Sequence, residues 1–118
     1  MSSHYLPKQG DVVWINLDPR TGHEQSGRRP ALVISVPLLT ERTGLAVICP
    51  ITSKVKRLPY EILLRGCKTE GVILPLHIRS VDMQARHAIF IEKLPQKVVA
   101  QVLEAVGLLI GQPDALSR

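Results

Sequence analysis

Apolar residues in this chain come in short runs that alternate with polar positions. The runs are cut off by proline, glycine or charged turns until the last part of the chain, where the spacing changes to every fourth residue. The alternating runs predict strands over 10–17, 31–36, 45–51 and 60–64, a short edge strand over 71–75, and two more over 76–81 and 88–92. Asp18-Pro19 is a turn dipeptide closing the first run. Pro30 fixes the backbone where the second begins and favours an extended Arg29 before it. Glu41-Arg42-Thr43-Gly44 reads as a turn, 52–59 as a polar, basic loop, and 65–70 as a second basic turn. Pro75 has no N–H to give a central ladder, hence the edge position expected for its strand. Over 95–110, Val98, Val102, Val106 and Ile110 recur at fourfold spacing, and Val99, Leu103 and Leu109 widen the stripe. Pro95 suits the first turn of that helix, and Gly111 followed by Pro113 stops it. The chain therefore reads as α+β, mainly β: short strands followed by one helix.

The length of 118 residues suits one domain, with a core over about 5–111 and a frayed tail over 112–118. An apolar fraction of 45% is enough for a single core, and Trp14, Cys49 and Phe90 are expected in it. Seven apolar helix positions are many for a small sheet to cover. Either an oligomer interface takes the surplus or it stays exposed, as apolar side chains ordinarily can. No apolar run is long enough to cross a bilayer, and Met1-Ser2-Ser3-His4-Tyr5 lacks the apolar stretch of a signal peptide. A cytoplasmic location is expected. Cys49 and Cys67 lie in separate segments and read as reduced thiols.

Charge sharpens the picture. The net charge is +5, and between Arg20 and Arg86 there are eleven basic and five acidic residues, so the excess lies in the middle of the chain. An anionic partner is expected. In the same region Gly22-His23-Glu24-Gln25-Ser26-Gly27-Arg28-Arg29-Pro30 packs an imidazole, a carboxylate, an amide and two guanidiniums between two strand-like runs. A loop carrying acid–base and phosphate-binding groups, held at each end by a strand, has this composition. Arginine is a bidentate phosphate ligand, Glu24 can accept a proton, and His23 can do either task near neutral pH. Thr52 opens the second polar loop, and the ends of the second and third strands can bring Arg29 and Thr52 to one phosphate.

These parts suit RNA cleavage. RNA carries its own nucleophile, the 2′-hydroxyl, so the protein need supply only a base, a donor for the leaving oxygen and a cation for the charge developing on phosphorus. No metal or cofactor is expected: His4, His23, His77 and His87 show no ligand spacing, and there is no GxxxxGK[ST] or Gly-rich dinucleotide signature.

Several segments, in order along the chain, resemble the MazF/PemK toxins of bacterial toxin–antitoxin pairs. They are Gly10-Asp11-Val12-Val13-Trp14, Leu17-Asp18-Pro19, the loop from Gly22 on to Ser35, Cys49-Pro50-Ile51-Thr52-Ser53, Tyr60-Glu61, Gly71-Val72-Ile73-Leu74, Arg79-Ser80-Val81-Asp82 and Ala85-Arg86. The likeness runs from about Tyr5 to Gly111 and is nearer the MazF branch. It implies a small, partly open antiparallel barrel with a C-terminal helix, of the kind CcdB and MazF toxins share, assembled as a homodimer. It implies a metal-independent endoribonuclease that cuts single-stranded RNA at short sequences, leaves 2′,3′-cyclic phosphate and 5′-hydroxyl ends, and silences translation. It also implies an acidic, partly disordered MazE-like antitoxin lying over the RNA groove, in keeping with the basic middle section.

By position, Arg29 and Thr52 match residues implicated in catalysis in the MazF branch, and Glu24 a loop carboxylate that contributes. The PemK scheme uses a histidine at His23 together with an Arg and an Asp where this chain has Leu74 and Leu76, which cannot serve. Leu76-His77 also replaces a common Asp-Gln pair, pointing to an altered sequence preference. RNA contacts are expected from Arg20, His23, Gln25 and Arg28 in the first loop, from Lys54, Lys56 and Arg57 in the second, and from His77, Arg79 and Arg86 beyond. Two other readings remain open. One is a toxin that poisons a protein such as gyrase by contact alone, as CcdB does through a terminal Trp-Gly-Ile where this chain has Leu116-Ser117-Arg118. The other is a passive nucleic-acid binder, for which Tyr5, Trp14, Tyr60 and Phe90 offer few stacking surfaces.

Overall fold

The computed structural model describes residues 5–17, 27–55, 57–111 and 113. The strands β1 (Asp11–Asn16), β2 (Arg28–Val33), β3 (Leu45–Thr52), β4 (Ile62–Leu63), β5 (Val72–Ile73), β6 (Arg79–Asp82) and β7 (Ile89–Lys93) pair antiparallel in the order β4-β5-β3-β2-β1-β7, and β6 lies against β3 alongside β5. Two helices follow the sheet's turns: α1 (Pro37–Thr43) and the C-terminal α2 (Gln96–Ile110). The architecture is the expected one, mainly β, a curled antiparallel half-barrel with a C-terminal helix. The tail expected over 112–118 lies, apart from Pro113, outside the described residues.

Three local expectations are corrected. The turn expected at 41–44, with the unassigned residues 37–40 before it, is α1, whose Pro37 occupies the first turn and whose C-cap Gly44 takes a left-handed φ of 78°. The Thr43 hydroxyl donates to the Leu39 carbonyl at 2.7 Å, tightening the last turn of this seven-residue helix. Among the described residues there are therefore two α-helices, not one. β5 is not an edge strand: it lies between β4 and β3, and Pro75 falls outside it, at the start of a 3₁₀ turn (Pro75–His77) where its missing N–H is no loss.

Strand alternation sorts the apolar residues onto two faces of the sheet. Val12, Leu32, Cys49, Ile51 and Ile73 form one cluster, completed by Val99 and Val102 of α2. Val13, Ile15, Ala31, Val33, Ala46, Ile48 and Val81 form the second. Trp14 and Phe90, expected in the core, are instead 38% and 48% exposed, whereas Cys49 is fully buried. Trp14 shares a face with Val12 but lies farther along β1, beyond the reach of α2. Phe90 packs edge-on against Tyr5, ring centroids 6.0 Å apart.

The sheet closes through its edges. Glu92, on the outer strand β7, accepts backbone N–H groups of Lys68 (3.2 Å) and Thr69 (2.7 Å) from the turn joining β4 to β5 at the opposite edge. The start of β1 is held by a buried carboxylate. Asp11 is 2% exposed; it accepts the Tyr5 hydroxyl at 2.5 Å and the Lys8 N–H at 3.0 Å, and Lys93 Nζ stands 3.0 Å from its other oxygen. Burial pushes this carboxyl up, but the bonds from Tyr5 and Lys8 and the charge of Lys93 outweigh it and hold Asp11 below its usual value. Burial first, and then the same contact with Asp11, push the Tyr5 hydroxyl well up. Asp11→Asn should lower stability by about 1–3 kcal/mol in urea unfolding at neutral pH. Because the folded pKa lies below the unfolded one, the carboxylate's contribution is full above the ordinary carboxylate range and is lost as pH falls through the lowered value. The gap between Asp11→Asn and the parent should therefore close on acidification.

Candidate nucleic-acid interface and catalytic residues

The geometry of the site follows from where the β2–β3 ladder stops. The printed register runs Val33↔Ile48, Leu32↔Cys49, Ala31↔Pro50. The Ile34 N–H donates to the Val47 carbonyl at 2.9 Å, so alternate pairs outward from there carry the ladder bonds. The next bonded pair would be Pro30 with Ile51, and Pro30 has no N–H to give. Only the Ile51 N–H can bond across that pair, to the Pro30 carbonyl; the register is paired as far as Ala31↔Pro50, and carried two residues farther it sets Arg29 across from Thr52. Both side chains share the face of Ala31 and Ile48, since opposed residues in an antiparallel pair point the same way.

Pro50 makes a second gap, on the other side of β3. β6 pairs with β3 up to Ile48 and β5 from Ile51 onward; of the two residues between, Pro50 offers only its carbonyl, which accepts the Leu74 N–H at 2.9 Å. Arg79, at the start of β6, is opposed to Ile48 and so lies on the same face as Arg29 and Thr52. Arg29 and Arg79 are exposed and Thr52 half-buried. The Thr52 hydroxyl accepts the Lys54 N–H at 3.2 Å, leaving its own proton available to a ligand.

Arg28 is separated from this group. As the neighbour of Arg29 on a strand it faces the opposite way, and its guanidinium carbon lies 5.8 Å from the Trp14 ring centroid. Arg86 is half-buried at the mouth of the first loop: its side chain donates to the Asn16 carbonyl at 3.4 Å, and its own carbonyl accepts the Asn16 N–H at 3.2 Å. The Leu17 N–H bonds the Gly27 carbonyl at 2.9 Å, closing that mouth. Lys54, Arg57 and His77 are exposed, Arg57 with a left-handed φ of 56° and His77 in the 3₁₀ turn. Arg20, His23, Glu24, Gln25 and Lys56 lie outside the described residues.

Sequence reasoning missed two contributors. Asp82 accepts the N–H groups of Gln84 (3.1 Å) and Ala85 (3.0 Å), shaping the turn that delivers Arg86. An Asp opening a polar turn was the available signal. Gly71 is the second. Its φ is +121°, and a Cβ there would overlap the Thr52 carbonyl oxygen. A lone glycine between a basic turn and a short apolar run gave no hint of such an approach. Burial pushes the Cys49 thiol up to about 12, which leaves it protonated and out of the chemistry. Among the described residues no three His, Cys, Asp or Glu side chains group as metal ligands. Nor is any described helix long and apolar enough to cross a membrane.

Comparison with known proteins gives a consistent answer. Residues 8–110 match the family model described as PemK-like, MazF-like toxin of type II toxin–antitoxin system. The "Endoribonuclease toxin MazF" of Escherichia coli K12 is 33% identical over 111 residues, which cover 94% of this chain and all of that protein. The crystal structure of MazF (Form-I) from Deinococcus radiodurans superposes with a TM-score of 0.82 at 42% identity, covering 92% of this chain and 100% of the other. A MazE-MazF crystal structure (Form-III) from the same organism gives 0.82 at 39% identity, with 92% and 99% covered.

Trp14 is the sole tryptophan, so its emission reports the contact with Arg28. Arg28→Ala should increase acrylamide quenching of Trp14 and cost about 0.5–1 kcal/mol of stability. Arg29→Ala, on the other face, should leave the quenching unchanged.

Proposed function

The chain belongs to the PemK-like, MazF-like toxins of type II toxin–antitoxin systems, and from that membership we propose that it is a cytoplasmic endoribonuclease that cuts single-stranded RNA by attack of the 2′-hydroxyl on the adjacent phosphorus. The reading is supported by the β2–β3 register, which, carried two residues past its last pair, Ala31↔Pro50, sets Arg29 opposite Thr52. An exposed guanidinium and a hydroxyl with a free proton, on one face of a rigid sheet, can grip the two non-bridging oxygens of one phosphate. Arg29 stabilises the charge that builds on those oxygens as the phosphorus becomes five-coordinate, and Thr52 holds one of them. The 2′-oxygen bonds to phosphorus and the bond to the 5′-oxygen breaks; that oxygen takes a proton from water, giving a 2′,3′-cyclic phosphate and a 5′-hydroxyl. A guanidinium stays protonated and is a poor base, so Glu24 takes the 2′-hydroxyl proton. No metal is required, because the substrate supplies the nucleophile and Arg29 supplies the positive charge.

Arg79, opposed to Ile48 on the same face, and Lys54, following Thr52, take neighbouring phosphates. Arg86 orders the mouth of the first loop, whose residues Arg20, His23 and Gln25 contact bases, as do Lys56, Arg57 and His77. Arg28 on the Trp14 face reaches the strand only at the loop's rim. The chain pairs as a homodimer and is neutralised by an acidic MazE-like antitoxin; crystal structures of MazE-MazF from Deinococcus radiodurans support such a complex.

The test is incubation of the purified chain with a single-stranded transcript in EDTA, followed by end analysis. Cleavage with cyclic phosphate and 5′-hydroxyl ends is expected. Binding without cutting, or no interaction with RNA, would overturn the reading. In single-turnover assays at a mapped site, Arg29→Lys should slow cleavage on the order of 100-fold, because it keeps the charge but loses the fork. A rate within a few-fold of the parent would remove Arg29 from its role. Glu24→Gln should slow cleavage and flatten the acid limb of the pH–rate profile; an unchanged profile would place the base elsewhere.

A further inference from the structure

We propose that Gly71 is a positioning residue for Thr52, a role that rests on the reading of Thr52 given above. The bare backbone of Gly71 is packed against the peptide that leaves β3. A Cβ on Gly71 would overlap the Thr52 carbonyl oxygen, stand 2.8 Å from the carbonyl carbon and 3.1 Å from the Cα of Ser53. Those are backbone atoms, which cannot swing aside as a side-chain tip would. The Gly71 φ of +121° lies in a region that L-residues with side chains rarely adopt.

Two ladder contacts make the approach rigid. Val72, next to Gly71, is paired with Thr52 on one side and with Leu63 on the other. The Gly71 carbonyl accepts the Leu64 N–H at 2.9 Å. The segment 71–72 is thus clamped between β4 and β3, and its glycine sets how closely β5 approaches the last residue of β3. The β2–β3 register is paired only to Ala31↔Pro50, two residues short of Thr52, so β5 is the strand paired with Thr52 itself and fixes the backbone from which its hydroxyl projects. That backbone also seats Lys54, whose N–H the hydroxyl accepts.

Any side chain at Gly71 must push the Thr52 peptide by about 1 Å, a displacement that at a reacting phosphate can cost on the order of 100-fold in rate. Gly71→Ala should accordingly lower the single-turnover cleavage rate by about 10- to 100-fold, with the dissociation constant for an uncleavable 2′-deoxy-substituted RNA changed less than about threefold. The decisive comparison is made in a Thr52→Ala background. If Gly71 acts through Thr52, adding Gly71→Ala to Thr52→Ala costs nothing further. A loss of equal size in both backgrounds overturns the proposal and leaves Gly71 a structural residue. If Thr52→Ala itself cleaves at the parent rate, the reading of Thr52 fails, which is a different result from failure of the Gly71 coupling. Should Gly71→Ala not fold, Ser53→Gly loosens the same peptide from its far side without adding an atom. A several-fold rate loss that vanishes in the Thr52→Ala background supports the role; an unchanged rate overturns it.

Discussion

The antiparallel register of β1, β2 and β3 is the constraint on which the rest of this molecule depends. It is enforced from both faces at once. Val12, Leu32 and Cys49 must meet α2 on one face, and Val13, Ala31 and Ile48 must meet β6 on the other. Slipping any of the three strands by one residue would exchange these sets and carry Arg28 and Arg29 to each other's faces. Such a slip would turn the buried side chains of both clusters away from their partners and expose core residues. That cost falls on the two buried clusters rather than on the site, so the site inherits a precise geometry without contributing to its stability.

Proline shapes the end of this rigid frame. A central strand ordinarily excludes proline, because each missing N–H leaves a carbonyl unsatisfied. Here β2 and β3 each carry one, at Pro30 and Pro50, and both fall close to the point where the strands stop serving the core. Pro30 withholds one N–H just past the last β2–β3 pair, Ala31↔Pro50, at the end of the strands where Arg29 and Thr52 stand. Pro50 separates the stretch of β3 that pairs with β6 from the stretch that pairs with β5. The first gap opens a place for a ligand between two strand ends. The second lets the sheet bend, so that β5 and β6 can share one side of β3.

Much of this was legible in the sequence, and what was not has specific causes. The β1–β3 strands were readable from alternation, and so was the helix with its Gly111 stop, because these segments are long enough for periodicity to show. Arg29 and Thr52 were nameable because each stands where an apolar run meets a polar one. β4 and β5 are two residues each, too short for any period, and the placement of β5 between β4 and β3 depends on partners distant in sequence. α1 was hidden because Pro37 reads as a strand breaker until Gly44 is recognised as its cap. Trp14 and Phe90 were misjudged because residue type says how much apolar area is available, not whether anything arrives to cover it. The opposition of Arg28 to Arg29 was implicit in strand alternation, but only the ladder shows that alternation persists to the last residue before the loop.

The charge distribution follows the same division between frame and site. The buried carboxylate Asp11 has its cation, Lys93, at hand, and Glu92 spends its charge on the N–H groups of Lys68 and Thr69. Acidic groups in the frame are thus committed to holding the chain together at the end of β1 remote from the loop and across the sheet's two edges. Arg29 and Arg79, on the site face, have no ion pair among the described residues and stand in water, where screening makes their mutual repulsion cheap. Asp11 and Glu92 are thus committed to the frame while Arg29 and Arg79 stay exposed, a separation that a net charge alone cannot express.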